Sequence, residues 1–264
     1  MEELKRDIFV HRIDAMGFLT AGGLVVTHSR AFVIDTLACP QDMAPVLAVL
    51  AERAAGRRRV VINTHHHWDH VYGNGAFPTG DIVAQRSCPR LLEAQLHRLS
   101  GSAPAPPPEG VRTPTITFGD RVAYLDRHET VHLIATPGHS EDSLIVYLDG
   151  ARVLFAGDTL EWPFPTFAQR DGRDTWVRTL RQLKQLPADI IVPGHGPTMG
   201  KQLIDANERY ITAVYETVAA AKRRGVERHE LDVRPEEVLG SDVELDAVYR
   251  EAHRANVEWA YDEV

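Results

Sequence analysis

At 264 residues, with 44% hydrophobic and 25% charged side chains, the chain has the composition of an ordinary folded protein with a sizeable core, which excludes a disordered or fibrous class. The net charge of -8, spread along the chain without a basic block, argues against nucleic acid as a general partner. Cys39 and Cys88 stand far apart and form no CxxC pair, so neither a disulfide framework nor a thiolate metal site is expected, and both read as buried thiols. The N-terminal Met1-Glu2-Glu3-Leu4-Lys5-Arg6-Asp7 lacks an apolar signal core, and no run has the roughly 18 apolar residues of a membrane span. A cytoplasmic protein with no membrane partner is the expectation.

Short strands come first: Ile8-Phe9-Val10, Gly17-Phe18-Leu19 leading to a Gly22-Gly23 turn, Leu24 to Thr27, and Ala31 to Thr36, together a meander. Met43, Val46, Leu47, Leu50 and Ala54 follow at helical spacing, and Gly56 ends that helix. Val60-Val61-Ile62 is the next strand, completing a β-α-β step. Asp81 to Ala84 reads as a strand and Pro89 to Leu99 as a helix with a leucine stripe. Ala103 to Pro108 carries four prolines and reads as a connector between two halves. The second half is expected to open with strands at Thr115–Phe118, Arg121–Tyr124, Val131–Ala135, Leu144–Leu148 and Arg152–Ala156. A helix from about Asp174 to Leu186 and a strand Asp189–Val192 follow. Two packed sheets covered by helices account for this order.

Residues 201–264 are different, with helical periodicity, few strand formers and charges throughout. Their apolar positions, Ile204, Tyr210, Ile211, Val214, Val218, Val243, Leu245, Val248, Tyr249 and Trp259, suit packing on the domain formed by residues 1–200. A substrate wall or a homodimer contact is the alternative use for some of them.

Chemistry concentrates in Thr64-His65-His66-His67-Trp68-Asp69-His70, directly after the Val60–Ile62 strand. Imidazole and carboxylate donors this close suit Zn²⁺, and also Fe or Mn. Three later sites repeat one pattern, a His or Asp beside a glycine just past a strand: Gly138-His139, Gly157-Asp158 and Gly194-His195. Glycine lets the backbone bend and approach closely there. His65, His67, Asp69, His70, His139, Asp158 and His195 are too many donors for one tetrahedral ion and suit two, with one carboxylate bridging.

This ordered set, H-x-H-x-D-H followed by a lone His, a lone Asp and a final Gly-His, resembles the metallo-β-lactamase superfamily over roughly residues 8 to 200. The resemblance implies an αββα sandwich with a helical C-terminal extension. It also implies one metal on His65, His67 and His139, a second on Asp69, His70 and His195, and Asp158 between them. Within the superfamily the His motif and the following Gly73-Asn74 resemble glyoxalase II. The Trp162-Pro163-Phe164-Pro165 stretch departs from it where that family places glutathione contacts.

Two Lewis-acidic zinc ions would lower the pKa of a shared water, giving a bridging hydroxide that attacks a carbonyl or phosphoryl centre. Asp69 would hold that hydroxide and take up its proton, as the catalytic residue. The leading expectation is a zinc-dependent hydrolase of a small ester, thioester or lactone. An iron enzyme resembling persulfide dioxygenases is disfavoured by the complete second set with His70 and His195. A β-lactam amidase is disfavoured by Asp158, and a phosphodiesterase by the acidic balance. His66 reads as supporting or inward-packed, Trp68 as packing, and the remaining histidines (His11, His28, His97, His128, His132, His229, His253) have no ligand-like context. The segment Leu160–Gly172 is expected to form either an apolar substrate wall or a cap on the core, with Arg170 and Arg173 solvated or steering an anion.

Overall fold

The computed structural model describes residues 1–99, 106–170, 172–240 and 243–264. The first five residues of the connector beginning at Ser100 and ending before Ala105 are outside that set, as is Ala105 itself, so the proline-rich connector expected over 103–108 is described only from Pro106 onward.

Seven strands make the first sheet, in sequence order: β1 (Glu2–Lys5), β2 (Ile8–Ala15), β3 (Phe18–Val26), β4 (Arg30–Ile34), β5 (Arg58–Ile62), β6 (Asp81–Gln85) and β7 (Ile116–Phe118). The first four pair antiparallel and β4 to β7 pair parallel. The second sheet contains β8 (Arg121–Asp126), β9 (Glu129–Ala135), β10 (Leu144–Leu148), β11 (Val153–Phe155) and β12 (Ile190–Val192), ordered β12-β11-β10-β9-β8. Only the β11–β12 pair in that sheet is parallel.

Side-chain alternation explains how the layers stack. Phe32, Ile34, Val60 and Ile62 face Leu144, Val146 and Leu148 between the sheets. Their neighbours Ala31, Val33 and Val61 turn outward beneath Val46 and Leu50 of helix α1 (Ala44–Arg53). On the far side Ile145 and Tyr147 meet the helices that cover the second sheet. Each Val, Leu or Ile so buried contributes about 1.5–3 kcal/mol, which is why central strands here are apolar on both faces. The expected αββα sandwich is thus the observed architecture.

After β5 come a one-turn helix α2 (Trp68–Val71), a 3₁₀ turn Tyr72–Ala76 and helix α3 (Cys88–Leu99). Helix α4 (Arg173–Leu183), the long α5 (Gln202–Arg223), the short α6 (Pro235–Leu239) and α7 (Ala247–Glu263) complete the chain. Ile204, Tyr210, Ile211, Val214 and Val218 are buried in the same cluster as β10 and β11. No helix among the described residues is long and apolar enough to cross a membrane.

The expectations for Gly22-Gly23, residues 116–118 and Cys39 need correction, and one strand is not apparent in the sequence. Gly22-Gly23 is not a turn, because β3 runs straight through it; a Cβ on Gly23 would lie 2.4 Å from Phe155 Cε1, so the facing sheet excludes a side chain there. Residues 116–118 belong to the first sheet as the parallel partner of β6, so the second half opens at β8 rather than at Thr115. Glu2–Lys5 is a strand that its polar composition hid, held by backbone pairing to β2 at the sheet edge. Of the two free cysteines, Cys88 is buried and Cys39 only half-buried.

The sheets are also tied at their rim. Asp126 accepts hydrogen bonds from Thr27 Oγ1 (2.6 Å), Ser29 N (2.8 Å) and Ser29 Oγ (2.9 Å), across the turn between β3 and β4. Burial alone would raise the Asp126 pKa, but these donors outweigh it and hold it at about 2 against an ordinary 3.8. A carboxyl depressed on folding stabilises the fold above its unfolded value and loses that contribution as pH falls from 3.8 through about 2. Acid titrations followed by circular dichroism are expected to show Asp126→Asn less stable at pH 6, with its deficit shrinking across that window. A deficit independent of pH would show that the contribution is steric.

Candidate metal centre

Five loops meet at one edge of the sandwich, each leaving the C-terminal end of a strand. The β5 loop begins with Thr64, whose N and Oγ1 both donate to Asp35 at 2.7 Å, so the loop after β4 anchors the loop after β5. That anchor aims His65, and α2 then carries Asp69 and His70 into the same space. His139 follows β9, Asp158 follows β11 and His195 follows β12. Gly157 has φ +48, and a Cβ there would lie 2.7 Å from Thr64 Oγ1. Gly194 is tighter still, since a Cβ there would lie 1.9 Å from Asp158 Oδ1. The glycines beside the acid and the last histidine therefore make the convergence sterically possible.

All seven expected donors are brought together, in two groups whose donor atoms lie within 4.8 Å of one another: His65, His67, His139 and Asp158, then Asp69, His70 and His195. Asp158, 3% exposed, reaches both. Its Oδ2 is 3.4 Å from the Nε2 atoms of His65 and His139 and 3.2 Å from His195 Nε2, while its Oδ1 is 3.1 Å from His70 Nε2. Asp69 Oδ2 is 3.5 Å from the Nε2 of both His70 and His195. His65 Nε2, His70 Nε2 and Asp158 Oδ1 are buried with no hydrogen-bond partner. Buried polar atoms without partners cost about 1–3 kcal/mol each, so a cation is the group that this donor set fits.

Residues that the sequence reading passed over orient the rings. His70 Nδ1 donates to Asp35 Oδ2 at 2.9 Å, and His139 Nδ1 to Thr166 O at 3.0 Å. Thr64 Oγ1 and Thr20 Oγ1, each already donating to a carboxylate, stand 3.2 Å from His65 Nδ1 and 3.3 Å from His195 Nδ1 as acceptors. With Nδ1 held outward in all four rings, the Nε2 atoms face the centre, the arrangement that metal-ligating histidines adopt. His67 presents Nδ1 instead, 3.0 Å from His139 Nε2. Glu161, fully buried, accepts from Thr166 N at 2.9 Å and Thr166 Oγ1 at 3.0 Å and so fixes the carbonyl that His139 uses. Asp35 lies just past β4 but has no glycine beside it and falls within the strand expected over Ala31 to Thr36, so it carried no such signal, nor did Thr20, Glu161 and Thr166.

His66 does not join the donors. Its Nδ1 meets the buried Asp142 at 2.9 Å, and Ser140 Oγ donates to the same Asp142 oxygen at 2.9 Å, which ties the β5 loop to the segment after His139. This is the supporting role among the two readings of His66.

Electrostatics separates the two groups. Burial pushes His139 down to about 3, and burial with the neighbouring imidazoles holds His67 well below the ordinary His value, so both rings are neutral at pH 7. Burial likewise favours neutral His195, but the Asp158 carboxylate outweighs it and raises that ring to about 9. Asp158 itself is held well below the carboxylate range, because the four surrounding imidazoles outweigh its burial. Burial first, then the charge of Asp158, pushes Glu161 well above that range.

Residues 18–195, which span both donor groups, match the family model described as the metallo-beta-lactamase superfamily. The chain belongs to that superfamily. It is 30% identical over 208 residues to a hydroxyacylglutathione hydrolase of Synechococcus sp. (strain JA-2-3B'a(2-13)), covering 75% of this chain and 72% of that one. It is also 30% identical over 191 residues to a beta-lactamase-like protein 2 homolog of Caenorhabditis elegans, covering 71% of this chain and 59% of that one. In three dimensions it matches a metallo-beta-lactamase from Pontibacter korlensis with TM-score 0.63 at 19% identity, over 77% of this chain and 94% of that one, a likeness of fold alone. The expected resemblance to glyoxalase II within the superfamily therefore holds.

A cavity of about 680 Å³ opens over the donors. His67, Asp69, His139, Asp158 and His195 form its floor, and Trp68, Thr166 and Ala168 one side. The β2–β3 hairpin and α7 supply the rest of the lining, with Phe18 edge-on to His195 at 5.5 Å. Trp68 thus packs beside Tyr72 and also borders the cavity, whereas the sequence assigned it packing only. In the segment after Asp158, Phe164 is buried and stacks on Tyr210 at 4.6 Å, so this part caps the core, and of the segment's described residues only Thr166 and Ala168 reach the cavity. Arg170 lies over Trp259 and 3.6 Å from Asp262, and Arg173 lies over Tyr215. Neither lines the cavity.

Proposed function

We propose that this chain is a metal-dependent hydrolase that uses two ions, zinc foremost with iron or manganese as alternatives, to cleave a small ester, thioester or lactone. The superfamily membership and the hydroxyacylglutathione hydrolase relatives support the hydrolase class. The observation that carries the binuclear reading is Asp158, which touches both donor groups with its two oxygens while buried atoms around it lack hydrogen bonds. His65, His67 and His139 would hold one ion, Asp69, His70 and His195 the other, with Asp158 shared. Bound ions would supply Lewis acidity and lower the pKa of a coordinated water.

The protein's part is to hold donors rigid and to manage protons. His139 and His67 are already neutral, so they offer lone pairs without first releasing protons. Asp69 lines the cavity, and Thr20 Oγ1 donates to its Oδ2 at 3.1 Å, which orients the carboxylate to take a proton from water. In the overall step the water oxygen bonds to the acyl carbon, the carbon–oxygen or carbon–sulfur bond breaks, and the proton ends on the leaving group. Residues 1–200 would carry this chemistry and residues 201–264 would shape the substrate wall.

Elemental analysis of purified protein is expected to find near two Zn per chain, with turnover of ester-type substrates. Chelation should lower the melting temperature by several degrees and readdition restore it, since a ligand at a hundred times its Kd stabilises by about 2.7 kcal/mol. Near one Fe per chain without hydrolysis would overturn the proposal.

A further inference from the structure

The part of the cavity lining contributed by the β2–β3 hairpin and α7 is mostly apolar. Met16 and Phe18 come from the β2–β3 hairpin, and Val248, Ala252 and Ala255 from α7. The hairpin tip and the helix are in close contact, since a Cβ on Gly17 would lie 2.6 Å from Val248 Cγ2. Met16 sits at that tip with φ 59 and is 53% exposed, a large apolar side chain held in an unfavourable backbone conformation at the rim of a cavity.

Charge is equally one-sided. No lysine or arginine lines the cavity, and none occurs at the residues outside the described set. The one charge that α7 adds to the wall is the carboxylate of Glu251. A glutathione thioester carries carboxylates at both ends of its peptide and would need cations there. Far from the ions, an anionic tail would meet apolar surface and a negative charge.

We infer that the substrate is a neutral ester, thioester or lactone with an apolar acyl chain, which lies along Met16 and Val248 while its carbonyl reaches the floor. This rests on the hydrolase reading and narrows it. Burial of each methylene strengthens binding by about fourfold when fully realised, so chain length is the sensitive variable.

The test uses metal-loaded, full-length protein and two readouts. Hydrolysis is compared for the p-nitrophenyl esters of acetate, butyrate and octanoate, for the mono-p-nitrophenyl ester of suberic acid, and for S-lactoylglutathione. Binding is measured by calorimetry with octanamide and with suberic acid monoamide, which need no turnover. The expected result is a kcat/KM at least about tenfold higher for octanoyl than for acetyl. The carboxylate-ended ester and amide should each be at least about tenfold weaker than their neutral counterparts.

Ala252→Trp should collapse the octanoyl-to-acetyl ratio. Met16→Asp, at an exposed position that puts the fold at little risk, should do the same, and Glu251→Lys should recover turnover of the carboxylate-ended ester. A flat chain-length series, preference for S-lactoylglutathione, or equal binding of the two amides would overturn the inference. Selective octanamide binding without hydrolysis of any ester would uphold the apolar site and overturn the hydrolase reading instead.

Discussion

Replacing Asp158 with Asn is expected to remove both metals from the protein, not one. Asp158 lies 3.1–3.4 Å from four imidazole nitrogens drawn from both donor groups. An amide of the same size loses the negative charge that would offset the two proposed cations while leaving the packing unchanged. A loss of about 4 kcal/mol of metal binding corresponds to about a thousandfold in affinity, and turnover at limiting metal should fall at least as far. Gly194→Ala provides a steric counterpart, because its Cβ would lie 1.9 Å from Asp158 Oδ1, 2.6 Å from Gly157 C and 2.8 Å from Asp158 N, and so must displace that carboxylate and the backbone that carries it without deleting the acid. Both variants should retain the far-ultraviolet spectrum of the parent and fail to hold two ions through gel filtration. One ion kept at full occupancy in Asp158→Asn would show that Asp158 serves a single site.

Asp69→Asn is expected to behave differently. Asp69 belongs to the second group, beside the Nε2 atoms of His70 and His195, and lines the cavity where substrate is proposed to lie. If its carboxylate takes the proton from water, kcat should fall by about 10²–10³ with KM nearly unchanged, in protein reconstituted to two metals. Full turnover with both metals bound would rule out that role and leave Asp69 as a ligand alone. Thr20→Val is a useful companion, since it removes the hydrogen bonds to both Asp69 Oδ2 and His195 Nδ1 and tests the orientation of these two candidate ligands without deleting either. A drop of about tenfold is expected there, in the range found when an outer partner of a metal ligand is lost.

Local pattern revealed most of the strands, because central strands such as β5 and β10 are continuous apolar runs that no other element explains at that length. It failed at Gly22-Gly23, where glycine is read locally as a turn but is required by the ring of Phe155 in the opposing sheet. It failed again at residues 116–118, because which sheet a short strand joins depends on a parallel partner, β6, more than thirty residues earlier in the chain. The donors were legible because metal coordination restricts residue type severely, and their position after strands beside glycine is a local signature. Their supports were less so: a threonine such as Thr20 or a glutamate such as Glu161 becomes meaningful only once a ring nitrogen or a carbonyl is beside it.

By itself, then, the sequence determined the layered class, the seven candidate donors and the hydrolase class, all of which rest on residue type and short-range order. Only the tertiary structure decided which oxygen of Asp158 faces which ring, that His66 binds Asp142 and not the centre, and that Phe164 caps the core. It also decided that α7 and the β2–β3 hairpin, distant in the chain, close one apolar wall. The physical reason is the same in each case: these facts are set by contacts between segments far apart in sequence, whose relative placement is fixed by burial of the whole core and not by any local preference.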